Sequence, residues 1–241
     1  MPTERSEAIL LRGVDYSDTS RILTALTPAR GRITVLAKGI RRKNHALTAL
    51  LDVPARVELV YAWKDSRSVQ TLTDAAPCDG YRALKSDLEK GAHAAVLLEV
   101  AIKTAGENEP APRYYQTLAT GLATLAADAA PAVPVAAWVL YALLRSGGFA
   151  PELEVCVRTG EVLAQPGHFV WEGGVVGPGE RADVRLDAEL LAGLRALRAP
   201  TPPAELAGAT RVFHLLTRYA ATQLETELRS VRVLHDLFNN A

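Results

Sequence analysis

Six cations and no anion fall within residues 26–43, which read LTPARGRITVLAKGIRRK: Arg30, Arg32, Lys38, Arg41, Arg42 and Lys43. Guanidinium forks and ammonium groups at this density hold oxyanions: Arg grips two phosphate oxygens at once, and Lys acts as a mobile point charge. The chain carries 27 basic and 27 acidic residues, so the cluster is a local concentration and not a global bias. Residues 1–80 carry a net charge of +3, and the remainder −3. Taken alone, Arg41-Arg42-Lys43 is equally well explained as a solvated loop. Its setting argues otherwise, because Arg30 and Arg32 flank Gly31 and Lys38 precedes Gly39. Arg21, at the start of a neighbouring run, is positioned to join them.

Covalent chemistry finds no matching pattern. There is no G-x-x-x-x-G-K-[ST] phosphate loop, no G-x-G-x-x-G, no H-E-x-x-H and no G-x-S-x-G. The five histidines, His45, His93, His168, His214 and His235, are scattered, and none pairs at zinc-ligand spacing. No catalytic residues are expected, and the chain is read as a non-enzyme. Cys78 and Cys156 read as buried free thiols of a reducing compartment, with a disulfide as the alternative. No apolar run is long enough to span a bilayer, and MPTERSEAILLRG does not resemble a signal peptide.

Two textures organise the chain. Up to about residue 79 it alternates in short β-branched runs, at 8–14, 21–27, 32–38, 56–63 and 68–73, separated by Asp, Ser, Pro, Gly and Lys. In the third run Ile33, Val35 and Ala37 share one face, and Arg32, Thr34, Leu36 and Lys38 the other. A stretch at 45–51 allows one or two helical turns. Five strands with a small helix after the third match an OB-type barrel, with an SH3-like barrel or a split sheet as alternatives. From residue 80 the period changes. Leu84, Leu88, Ala92, Ala95, Leu98 and Ile102 form one stripe of a long helix, and further stripes follow at 115–125, 135–143, 190–197 and 205–227. Ser230 is expected to cap a last helix through Phe238. Residues 150–185 are irregular and rich in Gly. The fold class is therefore α+β: an OB-type barrel over 1–79, then a mostly helical domain over 80–241 with a Gly-rich insertion at about 150–185. Tyr61 and Trp63 share a strand face and read as core or interface ahead of stacking platform, which makes the site electrostatic first.

These residues carry a family likeness. AILLRGVDYSDTSRILTALTPARGRITVLAKGIRR at 8–42, VQTLTD at 69–74, LLEV at 97–100, ENEP at 107–110 and LLRSGGFAPELEVC at 143–156 resemble the bacterial recombination-mediator family RecO over nearly the whole length. The resemblance implies an OB fold, a helical second domain, and a small insertion that often binds zinc through four cysteines. It also implies binding of single- and double-stranded DNA, strand annealing, and help in loading RecA onto DNA coated with single-strand-binding protein. The implied partners are RecR and the C-terminal tail of single-strand-binding protein, and the implied location is the cytoplasm, at the nucleoid. At the zinc positions this sequence departs from the family. The first C-x-x-C reads Cys156-Val157-Arg158-Thr159, and the later pair falls near Gly177-Pro178-Gly179-Glu180. One thiol of four cannot build a tetrahedral sulfur site, so no metal or other cofactor is expected.

The expectation is a mediator whose Arg21, Arg30, Arg32, Lys38, Arg41, Arg42 and Lys43 converge in one groove. There they would neutralise phosphates on two strands so that complementary bases pair. The alternative is a protein-interaction adaptor whose helical domain and basic run bind acidic protein segments.

Overall fold

The computed structural model describes residues 2–42, 47–165 and 167–238. The chain divides into two compact units, Met1–Asp128 and Ala129–Ala241.

The first unit is built on five strands: β1 (Thr3–Asp15), β2 (Arg21–Thr27), β3 (Gly31–Ala37), β4 (Ala55–Ala62) and β5 (Gln70–Asp79). They close into a barrel in the order β1-β2-β3-β5-β4. Closure depends on β1 serving two neighbours. Its first part pairs with β4 from Thr3↔Ala62 to Leu10↔Ala55, and its second part with β2 from Ile9↔Leu26 to Asp15↔Arg21. A register shift between Leu10 and Arg12 bends the strand between the two. The β3–β5 pairing is parallel, through Val35↔Gln70 and Leu36↔Thr71, and the other pairings are antiparallel. This is the OB-type topology the strand spacing predicts.

Alternation puts Ile33, Val35 and Ala37 of β3, and Val57, Leu59 and Tyr61 of β4, into the barrel interior. The aliphatic side chains larger than Ala37 each contribute about 1.5–3 kcal/mol on leaving water. β1 and β5 outrun the predicted 8–14 and 68–73. The added β1 residues Thr3, Arg5 and Glu7 are exposed, so pairing with β4 holds them without burial, and burial is what sequence pattern reads. In the β3–β4 connection, where 45–51 is expected to be helical, residues 47–51 make one turn closed by Leu51 N–H to the Leu47 carbonyl at 3.0 Å; His45 lies outside the described residues.

The single long helix expected from residue 84 is two: α1 (Arg82–Ser86) and α2 (Leu88–Thr104). Asp87 is extended between them, and its side chain accepts the Lys90 N–H at 3.0 Å, starting a new helix. The hydrophobic stripe continues across the break only on paper, since Leu88 is 64% exposed. α3 (Pro112–Ala126) follows, and the buried Lys90 ammonium donates to the Ala127 carbonyl just past its end at 2.6 Å. That places a cation at the negative end of the helix dipole.

The second unit contains α4 (Ala132–Ser146), a three-stranded sheet, α5 (Ala188–Ala196), α6 (Ala209–Gln223) and α7 (Arg229–Phe238). The sheet is ordered β7-β6-β8, from β6 (His168–Val170), β7 (Gly174–Val176) and β8 (Val184–Arg185). α4 packs on α6. Ser230, expected as a cap, is already helical, because α7 begins one residue earlier. Among the described residues no helix is long and apolar enough to cross a membrane.

Candidate nucleic-acid interface

The β2–β3 hairpin separates the cations that the sequence lists together. Its register runs from Arg21↔Ala37 at the open end to Thr27↔Gly31 at the turn. Arg30 and Arg32 therefore belong to the turn, and Arg21, Lys38, Arg41 and Arg42 to the opposite end, about 20 Å away along seven-residue strands. One convergent groove holding all of them is not what the fold builds. Lys43 lies outside the described residues.

At the turn the arginines are structural. Arg30 holds Glu4 through Nε at 3.2 Å and Nη2 at 2.5 Å, and its guanidinium lies 4.3 Å from the centroid of Trp63. The Tyr61 hydroxyl donates to the same carboxylate at 3.3 Å. Burial, reinforced by Glu4, pushes the Tyr61 phenol up to about 12. Tyr61 and Trp63 meet edge to face in the core, where they offer no stacking surface. Arg32 donates to Glu107 Oε2 at 3.0 Å, and its backbone N–H to the Gly106 carbonyl at 2.8 Å. Ala111 N–H closes onto the Pro28 carbonyl at 3.0 Å. The Thr27-Pro28 turn and the Glu107–Pro110 segment, two separate motifs in the sequence, thus dock on each other. Gly31 (φ 58°) permits it: a Cβ there would lie 2.3 Å from the Glu109 carbonyl oxygen.

The open end is different. Asp15 is the cross-strand partner of Arg21, and its two oxygens hold two cations: Oδ1 meets Arg21 Nε at 3.0 Å and Oδ2 meets Arg41 Nε at 3.4 Å. Arg41 also donates to the Ser17 carbonyl from Nη1, and its backbone N–H to Thr19, both at 3.0 Å, tying the β1–β2 loop to the segment after β3. Lys38 and Arg42 are exposed and have no ion pair among the described residues. Beside them the outward rows of the sheet carry Arg12, opposite Thr24, and an apolar strip of Val14, Ile22 and Leu36. Val14 is 44% exposed, and Tyr16 in the adjoining loop 65%.

Arg12 is a cation that reading the linear run misses. Its signal is strand parity: it points outward two residues before Val14, at mid-hairpin in register with Thr24 and Thr34. Lys64 and Arg67, also exposed, sit in the β4–β5 loop, which the buried Gln70 fastens by accepting Lys64 N–H and donating to the Arg67 carbonyl. In OB folds the β1–β2 and β4–β5 loops flank the ligand face.

The Gly-rich insertion carries the positions at which the family's zinc ligands would stand. Cys156 and Thr159 stand in one tight turn, with Gly160 N–H on the Cys156 carbonyl at 2.9 Å. The Cys156 thiol takes hydrogen bonds from the Thr159 side chain, from the Thr159 and Arg158 backbone and from Gly177, which bring it down to about 7. Arg158 bridges to Glu180 at 3.0 Å, and Val170, Val176 and Leu163 pack against Cys156. The four positions gather as a zinc knuckle would gather them, but with one sulfur, and among the described residues no group of three or more His, Cys, Asp or Glu is arranged to hold an ion. These residues do not fit zinc. Cys156 is buried, as expected, whereas Cys78 is exposed; both thiols are free.

Comparison with known proteins agrees with this architecture. A family model described as Recombination protein O N terminal matches residues 1–81, and one described as Recombination protein O C terminal matches residues 85–232. A DNA repair protein RecO of a Nocardioides species is 31% identical over 242 residues, 94% of this chain and 97% of that one. One from Frankia casuarinae is 33% identical over 204 residues, covering 80% of this chain and 83% of the relative. One from Prosthecochloris aestuarii is 30% identical over 159 residues, 66% of this chain and 60% of the relative. With both of its parts matched in order, the chain belongs to the recombination protein O family, RecO.

Proposed function

We propose that this chain is a DNA-repair mediator that binds DNA through the open end of its barrel, anneals complementary single strands and helps load RecA onto DNA coated with single-strand-binding protein. The observation that carries the reading is that Lys38 and Arg42 at the open end, and Arg12 on the adjoining outward face, are exposed and without an ion pair among the described residues, beside the strip of Val14, Ile22, Leu36 and Tyr16. Cations contact phosphates without reading sequence, and an apolar strip with an exposed aromatic ring accepts unstacked bases. Two strands neutralised on one surface repel each other less, so pairing proceeds with no bond made or broken in the protein. In this role no metal or other cofactor is used, and RecR and the tail of single-strand-binding protein are the protein partners. The place of work is the cytoplasm, at the nucleoid. Family membership supports the partners and the place.

The test is annealing of complementary fluorophore- and quencher-labelled oligonucleotides at fixed salt. Wild type is expected to accelerate pairing, and a combined Arg12→Ala, Lys38→Ala, Arg42→Ala variant to lose most of the acceleration while keeping its unfolding midpoint. Full acceleration by the variant would remove this surface from the account. Competition of a labelled oligonucleotide with an acidic peptide separates the adaptor reading: an oligonucleotide that fails to bind while the peptide does favours the adaptor.

A further inference from the structure

We infer that Asp15 is a built-in phosphate stand-in, which occupies Arg21 and Arg41 until a strand displaces it, so that it sets how tightly the open end holds DNA. The inference rests on the proposed DNA-binding role of that end.

The geometry separates Asp15 from the carboxylates that hold Arg30 and Arg32. Glu4 is held by Arg30 and by the Tyr61 hydroxyl beside the Trp63 ring, and Glu107 by Arg32 in a segment locked by three backbone hydrogen bonds. Removing either undoes packing. Asp15 is different: it is exposed, at the last residue of β1, and each of its oxygens faces one guanidinium. A phosphodiester likewise offers two unesterified oxygens, so it can take over both contacts with little rearrangement of either arginine.

The scaffold keeps the guanidiniums in place without Asp15. The Arg21 stem lies across Gly13, where a Cβ would come within 3.2 Å of Arg21 Cδ. Arg41 is held independently by the Ser17 carbonyl and by its own backbone bond to Thr19. Exposed ion pairs of this kind are weak and exchange easily. Lys38, Arg42 and Arg12 supply the initial attraction, and Arg21 and Arg41 become available as Asp15 lets go. The loop holds one further acid, Asp18, which has no ion pair among the described residues and serves as the control for net charge.

The experiment measures fluorescence anisotropy of a labelled single-stranded oligonucleotide against salt, for wild type, Asp15→Asn and Asp18→Asn. Asp15→Asn should bind about three- to tenfold tighter at low salt, since two weak competing pairs are removed. Its salt slope should steepen by up to about 1.4, at roughly 0.7 per gained single-strand phosphate contact. Asp18→Asn should give a smaller gain and an unchanged slope. In an Arg21→Ala, Arg41→Ala background the Asp15→Asn gain should shrink to that of Asp18→Asn. Equal gains for the two single variants would reduce Asp15 to general charge and overturn the inference. Weaker binding by Asp15→Asn would make it a positioning group and overturn it as well. A wild type without salt-dependent binding is a different failure, that of the DNA-binding reading itself.

Discussion

Arg30 and Lys38 belong to one basic run and do opposite work. Arg30 is clasped by Glu4 and lies on Trp63, whereas Lys38 projects into solvent. Truncation should sort them. Arg30→Ala should cost about 1–2 kcal/mol in urea unfolding, because charge-assisted bonds are lost and the Glu4 carboxylate is left without its partner. Lys38→Ala should change stability by less than about 0.5 kcal/mol. Equal losses would contradict the division into structural and available cations. Tyr61 adds a pH dependence. Burial holds its phenol at about 12, as it does for Tyr81, while the unfolded chain releases these protons near the ordinary value of 10. Both groups have raised folded values, so their contribution is complete below pH 10 and falls as pH rises from 10 to 12. Urea midpoints measured across that window should decline for wild type and decline less for Tyr61→Phe.

At the scale of elements, the β2–β3 turn and the α2–α3 connection stand or fall together. Gly31→Ala combines a left-handed backbone position with a Cβ driven into the Glu109 and Gly106 carbonyls, and should cost at least about 2 kcal/mol. A neutral Gly31→Ala in urea unfolding would mean that the docking carries no weight. The strands were legible because alternation in β3 and β4 maps directly onto a closed core. The break at Asp87 was not, because one side chain taking up the Lys90 N–H outweighs a continuous apolar stripe. The Gly-rich insertion offers one thiol where a tetrahedral sulfur site requires four. Purified protein is therefore expected to hold no stoichiometric zinc, and a chelator to leave the unfolding midpoint unchanged. A fall of several degrees on chelation, reversed by zinc, would contradict it.

For the whole molecule, the barrel was legible in the sequence and the spatial arrangement of its cations was not. A run of charges in sequence becomes two sets in space, because a hairpin places its two ends one strand length apart. The acids that claim Arg30 and Arg32 lie 26 and 75 residues away in the chain, beyond the reach of any local pattern. Arg12 was missed for the converse reason, as an isolated charge that matters only through its neighbours across the sheet. The most direct test of the central claim is the salt dependence of single-strand affinity for wild type and for two matched variants. Removing Arg12, Lys38 and Arg42 together should flatten the slope by up to about 2, at roughly 0.7 per lost contact. Removing Lys85 of α1 together with Arg158 and Arg195 of the second unit should leave it unchanged. Equal slopes for the two variants would show that DNA is held elsewhere.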